Sequence, residues 1–136
     1  MVKELTCIIK SEGESLKKLL VLLEEQHKHI MSKNVFELDA MVEKIKVCNK
    51  EVAEQEVNRR KLVGNNSMIS IINNSNDEDL DNVYRETKKI VEEVRVQKDT
   101  NELLIKQQMS YNAQILNIIN PRRDIKTYNS YGNMSR

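Results

Sequence analysis

Apolar residues recur along this chain at alternating three- and four-residue steps, the spacing that places them on one face of an α-helix. The first series runs through Val2, Ile9, Leu16, Leu20, Leu23, His27 and Ile30; Thr6 and Gly13 complete it, and Leu5, Leu19 and Leu22 widen the stripe. It predicts a helix over about residues 2–31 with one buried face, close to a coiled-coil seam. Ser32-Lys33-Asn34 is a short connector, and Asn34 with Glu37 three residues later has the pattern of a capping box. A second series, Leu38, Met41, Ile45, Cys48, Val52 and Leu62, with Gln55 and Arg59 in the intervening positions, predicts a helix over 35–63. Gly64-Asn65-Asn66, residues that tolerate left-handed backbone, ends it. So short a link makes the two helices an antiparallel hairpin.

The stretch after Gly64 is rich in Asn and Ser, yet Met68, Ile69, Ile71 and Ile72 are too apolar for a free linker. A short helix over about 67–73, folded against the hairpin end, is expected there. Asn76 to Asp79 supply a cap and an acidic first turn for a third long helix over about 78–120, which Pro121 stops. Its seam is Leu80, Val83, Thr87, Ile90, Val94, Gln97, Asn101, Leu104, Gln108, Tyr111, Ile115 and Ile118. The expected fold class is all-α: an elongated antiparallel helical hairpin plus a long third helix, a three-helix coiled-coil-like bundle of residues 1–120. Residues 121–136 have no periodicity and are expected to form a flexible tail, disordered when free.

Composition agrees with helices: charged residues make up 32% and hydrophobic ones 39%, with one proline, three glycines and no tryptophan. Charge excludes a partner class. With 22 basic against 21 acidic residues, the chain lacks the basic excess from which nucleic-acid binders draw most of their affinity. The N-terminus, Met1-Val2-Lys3-Glu4, lacks the apolar run of a secretory signal. The longest apolar run, Leu19 to Leu23, is far below the roughly 20 residues of a membrane span, so no membrane insertion is expected. Cys7 and Cys48 both stand beside apolar seams, where cysteine packs as a small hydrophobe, and the chain reads as cytoplasmic and reduced.

Along the third helix, charge is uneven. Leu80 to Glu102 is crowded with charges, whereas Leu103 to Ile119 contains only Lys106. At about 1.5 Å per residue this helix would be roughly 60 Å long against roughly 45 Å for the first, so part of it is expected to overhang the hairpin. A helix apolar over much of its girth needs cover on several sides. That cover is either the hairpin with its short segment, a second copy in a homodimer, or an amphipathic helix of another protein. On the last reading the candidate binding residues are Leu103, Leu104, Gln108, Tyr111, Ile115, Ile118 and Ile119. Gln97, Asn101 and Gln108 are polar seam residues, which fix register or serve a groove that adapts to its occupant.

Catalytic chemistry is not indicated. Glu24-x-x-His27 has the spacing of one half of a di-iron bundle site, but such a site needs a second copy and two further inward glutamates, and the only other histidine, His29, stands two residues away on a different face. Cys7, Cys48, His27 and His29 lack zinc spacing, and no phosphate loop or nucleophile elbow is present. No catalytic residue, metal site or cofactor is expected, and the chain reads as a binding protein rather than an enzyme.

Several elements resemble a known family. Leu22-Leu23-Glu24-Glu25 is similar to a Leu-rich run ending in glutamate; Leu38, Lys44 and Arg59 or Arg60 are similar to a Leu, Lys, Arg spacing; Asn101 to Leu104 is similar to a late Asn-x-x-Leu element. After Pro121, Tyr128-Asn129-Ser130-Tyr131-Gly132 resembles a terminal tyrosine followed by glycine. Together they resemble the FlgN-type flagellar export chaperones. The resemblance implies a cytoplasmic chaperone for disordered terminal helices of hook-associated (hook–filament junction) proteins 1 and 3. Such a chaperone would prevent premature assembly and deliver its clients to the type III export gate. It further implies that the late third helix and tail hold the client, and that a tail tyrosine docks on an export-gate component, Tyr128 first and Tyr131 second. The competing reading is a structural homodimeric coiled coil without a client.

Overall fold

The computed structural model describes residues 1–119, and among these all regular structure is helical. The fold is all-α, with α1 (Val2–Met31), α2 (Val35–Val63), α3 (Met68–Ser75) and α4 (Glu78–Ile119). The described residues divide into two units, 1–101 and 102–119, and α4 contributes to both. The expected tail, residues 121–136, lies outside the described residues.

In the first unit the ends of each helix are made by local chemistry. At the end of α1, the Lys33 amide donates to the Ile30 carbonyl at 3.1 Å and the Asn34 amide to the His29 carbonyl at 2.9 Å. Lys33 takes a left-handed backbone, φ 57°, to allow this. The pair of bonds is a Schellman closure with lysine where glycine is usual. Asn34 then starts α2, its Oδ1 accepting from the Glu37 amide at 3.2 Å. Gly64 closes α2 at φ 65° and ψ −132°, a region open in practice to glycine alone. Ser67 caps α3 by accepting from the Ser70 amide. Asn76 ends α3 in the left-handed region, and Asp77 caps α4 by accepting from the Leu80 amide at 3.0 Å.

α1 is the most deeply embedded helix, with Leu5, Ile9, Leu16, Leu19, Leu23 and Ile30 buried. Two apolar clusters form along it. Leu5 and Ile9 meet Val63, Ile72 and Leu80, so the short α3 packs its Ile72 where α1 begins and α2 ends. Leu16, Leu19 and Leu23 meet Cys48 and Val94. Each such side chain contributes about 1.5–3 kcal/mol relative to exposure. A polar layer separates the clusters. Glu12, Ser15 and Thr87 are buried there, and Arg59 Nε donates to Glu12 Oε1 at 3.0 Å.

Side-chain contacts fix the helix directions. Ser15 meets Cys48 and Glu12 meets Arg59, so α2 runs antiparallel to α1. Thr87 bonds to Ile9 and Asn101 to Leu23, so α4 runs parallel to α1 at a constant offset of 78 residues. The two contacts lie fourteen residues apart on each helix. That is four turns at 3.5 residues per turn, the coiled-coil repeat. Gly13 makes the closer approach possible: a Cβ there would stand 3.1 Å from Thr87 Oγ1. The hydroxyl thus reaches the Ile9 carbonyl across a helix surface that lacks a side chain.

Within the first unit α2 has the smallest buried share of its length. Only Met41, Cys48 and Val63 are buried on it, and Val42, Val47 and Val57 are exposed. Cys7, which the sequence places beside a seam, is exposed; it shares a surface with Lys3 and Glu4, on the outer side of α1. Cys48 is buried as expected of a small hydrophobe.

Candidate functional site

The second unit is described from Glu102 to Ile119, all of it α4. Leu104, Gln108, Tyr111, Ile115 and Ile118 follow one another at four- and three-residue steps and share a face, with Ile119 beside it. Ile105, Met109 and Leu116 form a neighbouring row by the same stepping, and Leu103 borders the first row on its other side. Tyr111 is 58% exposed, Ile118 76% and Ile119 73%. Leu103, Met109, Ile115 and Leu116 are exposed as well, while Leu104, Ile105 and Gln108 are half-buried. Lys106 is the sole charge from Leu103 to Ile119.

Elsewhere α4 presents a different surface. Arg85 pairs with Asp81, and Arg95 with Glu92 and Asp99, all exposed. Exposed pairs of this kind contribute little to stability but keep a helix face solvated. The late α4 strip has no such covering of charge. Contiguous apolar surface bordered by polar residues makes this strip the candidate contact surface among the described residues.

Asn101 closes the first unit. It is 1% exposed, and its Nδ2 donates to the Leu23 carbonyl at 2.8 Å and to Gln26 Oε1 at 2.9 Å. Its Oδ1 accepts from Gln97 Nε2 at 3.0 Å. Of the three polar seam residues, Asn101 thus fixes α4 against α1, and Gln97 supports it from one turn earlier on α4. His27 is half-buried on the same side of α1 as Leu23.

Two further features escaped the sequence reading. Met31, Val35 and Phe36 are exposed around the α1–α2 turn, Phe36 by 89%, and its signal was a lone phenylalanine off the seam in the first turn of α2. The polar layer of the first unit also opens into a cleft of about 200 Å³ lined by Ile9, Glu12, Arg59, Met68, Tyr84 and Thr87, among others. Its carboxylate is already paired with Arg59. Among the described residues no group of three or more His, Cys, Asp and Glu is placed to hold a metal ion. Among them, too, no helix is long and apolar enough to cross a membrane. Burial pushes the Cys48 thiol up from its ordinary value, with Glu51 adding to the shift and Lys18 opposing it. Tyr128 and Tyr131 lie outside the described residues.

No curated protein matches the chain, and no solved structure does. A family model described as FlgN protein matches residues 1–136. A helical chain with an uncovered, nearly uncharged apolar strip fits a family whose members hold other proteins, and this chain belongs to the FlgN family of flagellar export chaperones.

Proposed function

We propose that the chain acts in the cytoplasm on the disordered terminal helices of hook-associated proteins 1 and 3. It keeps them from premature assembly and delivers them to the type III export gate. The observation that supports this is the exposure of the late α4 strip. Leu103, Tyr111, Ile115, Ile118 and Ile119, with half-buried Leu104 and Gln108, offer a client helix its apolar seat. A segment that folds as it binds gives up ordering entropy, so it can cover such a strip and still release. The tail tyrosines take the second role, Tyr128 docking on an export-gate component and Tyr131 serving as the alternative.

Co-expression tests this reading. A hook-associated protein should elute with the chain as one complex, and removal of the client's terminal helix should abolish it. Tyr128→Ala should leave the complex intact and reduce secretion of the client. Separate elution at micromolar concentration would remove the client reading. The same strip would also be covered in a homodimer; a dimer that persists at nanomolar concentration and excludes the client would favour the structural alternative.

A further inference from the structure

The strip restricts its occupant by charge as well as by shape. At 100° per residue, Lys106 lies on nearly the opposite side of the helix from Tyr111 and Ile115, so it does not face whatever sits on them. The polar positions bordering the first row are Gln107, Gln114 and, further round, Ser110 and Asn117, all neutral. Among residues 103–119, then, a helix seated on Tyr111, Ile115 and Ile118 meets no counter-charge along its contacting face. A charged side chain of that helix would lose its hydration against apolar surface and gain no partner, the costliest way to bury polarity. Neutral amides and hydroxyls meet donors and acceptors of their own kind at the border and keep their hydrogen bonds. The front half of α4, with its dense charges of both signs, offers no such discrimination.

We infer that the strip selects an amphipathic helix whose contacting face is apolar and whose flanks are uncharged, bordered by Asn, Gln, Ser or Thr, and that it holds this helix without ion pairs. The inference rests on the docking reading given above and specifies its partner. Binding of this kind is nearly independent of salt, because no ion pair is screened. It also proceeds without electrostatic steering.

Three synthetic helical peptides would test it against the full chain. All share one apolar seam and carry Lys and Glu pairs on the far face for solubility; they differ only in flanks of Gln and Ser, of Glu, or of Lys. We expect the neutral-flanked peptide to bind with a Kd that changes less than about twofold between low and high salt, as an interface without ion pairs requires. The acidic and basic peptides should each bind at least about tenfold more weakly, as expected when an unpaired charge is desolvated. Equal or tighter binding by either charged peptide, with steep salt dependence, would overturn the charge selection and leave the docking site standing. Failure of all three to bind, or neutral-peptide binding unchanged by Ile115→Ser with Ile118→Ser, would overturn the docking site and the selection with it.

Discussion

The amide of Asn101 donates to the main-chain carbonyl of Leu23 at 2.8 Å, joining α4 to α1 in the same register that Thr87 and Ile9 keep fourteen residues earlier. Both Asn101 protons and its oxygen are engaged, so a buried polar group is satisfied in full. Asn101→Ala leaves the Gln26 and Gln97 amides short of a partner and should cost about 1–3 kcal/mol in urea unfolding. Asn101→Leu should cost much less yet relax the register, read as faster amide exchange along α1 and α4. Wild-type stability in the alanine variant would mean that the network carries no weight.

Glu12 and Arg59 form the one charged pair in the polar layer of the first unit. Arg59→Met alone strands a carboxylate that is only 7% exposed and should destabilise the fold by about 3 kcal/mol. Pairing it with Glu12→Leu should recover most of that loss, because an apolar pair suits a layer between two apolar clusters. Chemical denaturation of the single and double variants measures both. A double variant no more stable than the single would show that the charges do more than compensate each other.

Lys33 holds a left-handed backbone without the freedom of glycine. Its side chain is exposed, and substitution there removes no packing. Lys33→Gly should therefore stabilise the hairpin by about 1 kcal/mol, seen as a higher Tm. A lower Tm would show that the lysine makes a contact worth more than the strain.

The two cysteines should separate in reactivity. Cys7 is exposed, whereas Cys48 is buried, donates its thiol to the Ser15 carbonyl at 3.4 Å and has its pKa raised, by burial first and by Glu51 second. A thiol reagent should label Cys7 at once and Cys48 only as the chain unfolds. Because the folded state holds the Cys48 proton longer than the unfolded state, stability is whole below the unfolded thiol's value of about 8.5 and falls as pH rises above it. Cys48→Ala should remove that part of the alkaline decline; an unchanged decline would place its cause elsewhere.

The fold class was legible because helix formers, spacing and caps all agree. Leu16, Leu23 and Ile30, which share one stepping in the sequence, are all buried. The burial of Glu12 and Ser15 was not legible. α1 faces two helices at once, so its buried arc is wider than one apolar stripe, and the partner of Glu12 stands 47 residues away. The offset of 78 between α1 and α4 was equally hidden, since it depends on how α3 turns the chain back. At the candidate site, the drop in charge after Glu102 was plain in the sequence, and Tyr111, Ile118 and Ile119 are exposed there. That Leu104 and Gln108 are half-buried was not, because periodicity marks a face without saying how far it is covered.

Every buried member of the two apolar clusters lies at or before Val94, whereas the strip begins at Leu103. On the ribosome the residues that form both clusters are therefore made before the exposed apolar strip. A nascent chain can fold without its own sticky end competing for the core. Substitutions within the strip would then leave both clusters intact.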